Sequence, residues 1–163
     1  MSLYFILFLF GEGLVVVVAM SMDRLAHMSA VAFRAAAIGR DVYKLGVVEC
    51  NELFVLGLLH DVGYRYGDGP GHAQLGGELL KDNGYKYWRE VMYHGVPDAS
   101  FDSVFLRILN QADMEVGPGG DVVSMDERLV NIGERYGVSS VEYLNAEKVI
   151  NKIKEDLKEL EAE

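Results

Sequence analysis

The sequence predicts an all-α domain preceded by an apolar appendage. Three observations carry this. Apolar residues recur at helical spacing from residue 21 onward. Most of these stretches open on a capping residue or close on glycine. The stretch before them, Leu3 to Met20, is almost entirely apolar and has a different character.

That first stretch approaches the length of a membrane span, but Gly11-Glu12-Gly13 divides it and no Lys or Arg precedes it. It also lacks the basic start of a secretory leader. Its halves, one aromatic-rich and one Val-rich around a Gly-containing turn, favour a packed β-hairpin over a membrane anchor. A third reading is an upstream start, with the working domain beginning near Met20 or Met22; the chain divides into an apolar segment over 1–20 and a helical bundle over 21–163.

Ser21 is placed to cap a first helix that runs to about Ile38, with Gly39 as its stop. A second helix covers about Val47 to His60, with Leu53, Leu56 and His60 on one face. Gly63 ends it, and residues 64–71 form a loop rich in Gly, Asp and Pro. His72 opens a third helix that stops at Asn83-Gly84, and Lys86 to His94 form a fourth closed by Gly95-Val96-Pro97. Ser100 or Asp102 caps a fifth helix bearing Leu106, Leu109, Asn110 and Asp113. Gly117-Pro118-Gly119-Gly120 is a loop and, with no Gly-Lys-Ser/Thr after it, not a phosphate-binding loop.

Ser124 to Glu127 and Ser139 to Glu142 both read as capping boxes, starting helices over about 125–136 and 140–160. The last helix carries Ala146, Val149, Ile150, Ile153, Leu157 and Leu160 along one side, which suits docking on the core or pairing with a second copy.

At 163 residues, half of them apolar, the chain can bury one core. Its net charge of −10 leaves no electrostatic footprint for nucleic acid. An anionic substrate would therefore need cations bound at the site. The single cysteine, Cys50, excludes a disulfide framework or a CxxC zinc knuckle and fits a small buried apolar role in a reducing cytoplasm.

All four histidines fall where a metal site would use them: His27, His60 before Asp61, His72 and His94, with Asp113 following. Imidazoles and carboxylates together are ligands for Zn, Fe, Mn, Ni or Co. His60-Asp61 follows the apolar run Phe54 to Leu59. A carboxylate buried there is costly unless paired, and a divalent cation is one such partner. No credible Ser-His-Asp or Cys-His nucleophile set accompanies them.

These residues resemble the HD-domain superfamily of metal-dependent phosphohydrolases. Leu58-Leu59-His60-Asp61-Val62-Gly63-Tyr64 is similar to that family's LLHDIG stretch, and His72 to Leu80 to its H-x₃-G-x-x-L-L element. Val91-Met92-Tyr93-His94 and Gln111-Ala112-Asp113 resemble the two elements that follow, so the likeness covers about residues 22–137. It implies an HD-type helical bundle in which His27, His60, Asp61 and Asp113 hold a metal. His72 and His94 then ligate a second ion, bind phosphate or relay protons, with Asp61 bridging the two ions. Where many relatives carry a phosphate-contacting Lys, this chain has Arg65. Arg128, Arg135 and Tyr136 suit a surface helix face better than the substrate.

The activity so implied is hydrolysis of a small phosphorylated metabolite, in particular a nucleotide, by metal-activated water attacking phosphorus. Two alternatives share these residues: a di-iron oxygenase, and a non-catalytic module that binds metal or nucleotide. The expected partners are a small phosphorylated substrate and a second copy of the chain, through the N-terminal segment or the last helix.

Overall fold

Ser21 starts the helical part of the molecule: its Oγ accepts from the Arg24 backbone N–H at 3.3 Å. In a computed structural model, which describes residues 4–10, 14–66 and 71–162, seven α-helices follow a two-stranded hairpin. Strands β1 (Tyr4–Phe10) and β2 (Leu14–Met20) pair antiparallel in a register running from Tyr4 opposite Met20 to Phe10 opposite Leu14. The appendage is therefore a hairpin; its Gly11-Glu12-Gly13 turn lies outside the described residues. No helix among the described residues is long and apolar enough to cross a membrane.

Helices α1 (Met22–Asp41) and α2 (Val47–Leu59) pack on each other. Their approach is set by small residues: a methyl group at Gly57 would lie 2.5 Å from the Ala32 Cα. Gly39 does not end α1, which continues to Asp41; it is buried, with a methyl group there falling 2.5 Å from Leu53 Cδ1. Contact with α2, not helix termination, explains that glycine.

Gly63 likewise does more than stop a helix. It sits in a 3₁₀ turn over Val62–Arg65, where a Cβ would lie 1.8 Å from the His72 carbonyl oxygen. The turn is thereby pressed against the start of α3 (His72–Asp82). Of the expected loop after it, residues 67–70 lie outside the described residues. Gly84 and Gly95 end α3 and α4 (Trp88–Tyr93) at φ of +72° and +71°, a region that favours glycine.

Two caps differ from expectation. Ser103, not Ser100 or Asp102, caps α5 (Val104–Met114), its Oγ accepting from the Leu106 N–H at 3.0 Å. Asp102 is drawn instead to Arg107, 2.5 Å from Nη2. Helix α6 (Met125–Tyr136) has the expected Ser124/Glu127 capping box. Helix α7 (Val141–Ala162) is capped by Ser140 alone, whose Oγ accepts from the Tyr143 N–H at 3.1 Å, so Glu142 has no capping role. Lys86 lies before α4 and pairs with Glu52 at 3.2 Å.

The main core joins Met28, Val31 and Ile38 of α1 to Leu53, Leu56 and Leu59 of α2 and to Ile108 and Leu109 of α5. A second cluster joins Met114 and Ile132 to Ala146, Val149, Ile150 and Ile153. The apolar side of α7 is thus covered within the chain, as its periodicity allows.

Candidate metal centre

Every side chain expected at the site arrives from a helix or its end. His27 lies on α1 and Asp113 on α5, His60 and Asp61 follow α2, His72 opens α3, and His94 follows α4. The core packing of α1, α2 and α5 brings their polar positions to one place. His27 Nε2 lies 3.0 Å from Asp113 Oδ1 and 3.8 Å from Asp61 Oδ2. His60 Nε2 lies 3.4 Å from Asp61 Oδ1 and 3.8 Å from Asp113 Oδ1. On the other side of the group, Asp61 Oδ1 is 3.3 Å from His72 Nε2 and 3.6 Å from His94 Nε2. The two Nε2 atoms of His72 and His94 are themselves 3.2 Å apart.

The outer ring nitrogens explain this orientation. His27 Nδ1 is 2.9 Å from the Gly117 carbonyl, His60 Nδ1 is 2.7 Å from that of Gly57, and His94 Nδ1 is 2.6 Å from that of Val91. A carbonyl only accepts, so each Nδ1 donates, and in the neutral ring each Nε2 then turns its lone pair to the interior. The Gly117 loop thus has a positioning role for His27.

His60 Nε2 is buried and has no hydrogen-bond partner. A buried lone pair without a donor is costly. Two triads, His27–His60–Asp113 and His60–Asp61–His94, each offer three ligand atoms within 4.8 Å of one another. The donor types, separations and orphaned nitrogen fit one or two divalent cations.

The electrostatics agree with that fit. Burial holds His60 down to about 4, so its imidazole is neutral at ordinary pH. Burial also disfavours the charged form of His27, yet the Asp113 hydrogen bond and charge outweigh it and raise its proton affinity. His94 is raised in the same way through Asp61. Burial raises both carboxyls, but His60, His72, His94 and Arg24 hold Asp61 well below its ordinary range. His27, His60 and Arg128 do the same for Asp113. Both carboxylates remain charged, with Arg24 on Asp61 and Arg128 near Asp113 as their cationic neighbours.

A cavity of about 180 Å³ opens onto this cluster. Arg24, Arg128 and Arg135 line it, and Tyr64 and Tyr136 add aromatic surface. Arg24 bonds Asp61 Oδ2 through Nη1 at 2.5 Å, with its guanidinium 3.6 Å from the centre of the Tyr64 ring. Tyr64 stacks on His72 at 4.0 Å between centroids.

Arg65 is not among the described residues of the cavity wall. It is exposed, with its guanidinium 5.9 Å from the Tyr66 ring centre. The 3₁₀ turn directs Tyr64, not Arg65, to the cluster. Arg135 and Tyr136 are exposed, as expected of a surface helix face, yet they also edge the cavity, whereas Arg128 is withdrawn into its wall where α6 packs beside it. Arg24 was legible at i−3 from His27, the spacing that puts two side chains on one helix face. Arg128 and Arg135 lie seven apart, also on one face.

A family model described as HD domain matches residues 24–118, more than half of the chain. No curated protein and no solved structure matches it.

Proposed function

As the chain belongs to the HD-domain family, we propose that it is a metal-dependent phosphohydrolase acting on a small phosphorylated metabolite, in particular a nucleotide. The observation that carries this is the convergence of four imidazole Nε2 atoms and two carboxylates beneath a cavity lined by three arginines. An acidic protein of net charge −10 that concentrates guanidinium groups at one cavity has an anion to hold there.

His27, His60, Asp61 and Asp113 would hold one ion, and His72 and His94 a second, with Asp61 shared. A divalent cation so placed supplies Lewis acidity, drawing the pKa of water toward about 7 and offsetting charge on phosphoryl oxygens. The chain's own groups do the rest. Carbonyls of Gly57, Val91 and Gly117 hold the imidazoles in the ligating tautomer. Arg24 keeps Asp61 ionised and oriented. Arg128 and Arg135 are placed to bind substrate oxygens.

The test is elemental analysis of the purified protein, joined to a panel of phosphoesters assayed with Mn, Fe, Co, Ni and Zn. We expect bound metal and hydrolysis that a chelator abolishes. Retention of metal and activity in His60→Ala overturns the proposal. A coupled two-iron signal in electron paramagnetic resonance, with no phosphoester turned over, selects oxygen-activating chemistry on these ligands instead.

A further inference from the structure

The matched segment ends at residue 118, yet much of the cavity wall comes from α6 and α7 beyond it. The side chain of Arg128 is only 11% exposed, and its Nε is buried with no hydrogen-bond partner. Its Nη2 stands 3.9 Å from Asp113 Oδ1, so it reaches the cluster without closing a short bond on it. A guanidinium held this way has donors left for a ligand.

On α7, Glu142 and Asn145 are three apart and so share a face, and both line the cavity. Neither side chain forms a hydrogen bond or ion pair among the described residues. Around these polar groups the wall is apolar, with Val96, Met114, Ile132 and Ala146. One cavity therefore runs from a cationic end at the His/Asp cluster to an apolar part edged by a carboxylate and an amide.

We propose that the α6–α7 wall is a specificity subsite, in which Arg128 grips a non-reacting phosphoryl oxygen while Glu142 and Asn145 bind paired N–H or O–H donors on the substrate's organic half. This rests on the phosphohydrolase reading and names what it selects: nucleoside monophosphates over phosphoesters that lack such donors. An ionised carboxylate only accepts, so it rewards a guanine-like N–H edge or a ribose diol. A substrate that covers Glu142 and offers it no donor leaves it desolvated and unpaired, which is the strong form of discrimination.

The experiment compares kcat/KM of the full chain for guanosine and adenosine 5′-monophosphates, their 2′,3′-dideoxy analogues and p-nitrophenyl phosphate, in the wild type, Glu142→Ala, Glu142→Gln and Asn145→Ala. The wild type should prefer the best nucleotide to p-nitrophenyl phosphate, and each variant should cut that ratio by about tenfold or more. Loss confined to guanosine over adenosine assigns the donors to the base; loss confined to the ribo over the dideoxy form assigns them to the sugar. Ratios within twofold of wild type in all three folded variants overturn the subsite. Titration of the nucleotides and of inorganic phosphate into the metal-free protein gives a second readout. There, nucleotide binding should weaken in the Glu142 and Asn145 variants, and both ligands should weaken in Arg128→Ala. Nucleotide binding that depends on Glu142 without any turnover retains the subsite and removes the hydrolase reading. Hydrolysis of p-nitrophenyl phosphate with ratios and binding indifferent to Glu142 and Asn145 does the reverse. A wild type that neither binds nor hydrolyses nucleotides removes both.

Discussion

His72 and His94 face each other Nε2 to Nε2 at 3.2 Å, with Asp61 Oδ1 within 3.6 Å of both. Two imidazole nitrogens can approach this closely when a proton lies between them or when a cation replaces it. The pair lies on the Asp61 side of the cluster, and only Asp61 joins it to His27 and Asp113 among the two carboxylates.

If the pair serves a second ion, His72→Ala and His94→Ala should each lower metal content from two equivalents toward one while leaving the first. Inductively coupled plasma analysis of the purified variants reads this directly. Unchanged stoichiometry in both would assign the pair to phosphate or proton handling.

Asp61→Asn should remove more than either. Loss of an outer partner alone weakens metal sites about 10–100-fold, so loss of a shared ligand should reduce activity by more than about 100-fold. Normal turnover with normal metal content in this variant contradicts a shared ion.

The crossing of α1 and α2 makes a stability prediction. Gly57→Ala puts a methyl group 2.5 Å from the Ala32 Cα, backbone that cannot step aside. Overpacking of this kind costs about 1–3 kcal/mol, and the shift should separate His27 from His60. Denaturant melts and metal titration should show both losses together; a variant as stable as wild type refutes the close contact.

Acid should destabilise the metal-free protein through His60. Burial lowers its folded value to about 4 from an ordinary 6.5, so the unfolded chain takes up the proton first. That contribution is complete above about pH 6.5 and is lost as pH falls toward 4. His27 and His94, both raised, act in the opposite sense. The wild type must therefore be compared with His60→Gln. Between pH 7 and 5 the wild type should lose Tm relative to the variant, and parallel pH profiles would rule the effect out.

At the surface, Ser124→Ala should cost about 1 kcal/mol, because Ser124 accepts from the Glu127 N–H at 3.2 Å in an intact capping box. A melt unchanged within error would mean that α6 is held by its packing alone.

Much of the architecture was legible because local chemistry decided it. The Ser124–Glu127 box, the stops at Gly84 and Gly95 and the apolar side of α7 need only nearest neighbours on the chain. Gly39 and Gly63 misled for the opposite reason: a glycine that ends a helix and one that admits another element look alike in one dimension. The choice of Ser103 over Ser100 or Asp102 depended on partners, since Ser103 Oγ also donates to Glu90 at 2.9 Å while Asp102 binds Arg107.

The sequence by itself determined the donor set, because residue types and their order are covalent facts: His27, His60-Asp61, His72, His94 and Asp113, on helices whose apolar faces demanded burial together. Only the tertiary structure decided which cations meet those donors and what else shares the cavity. Arg24, Arg128, Glu142 and Asn145 look like ordinary solvated positions in sequence, and helix packing draws them into the cavity wall, with the exposed Arg135 at its edge. The physical reason is range: capping and periodicity act over a few residues, whereas the site is made by α6 and α7 folding across a cluster set by α1, α2 and α5.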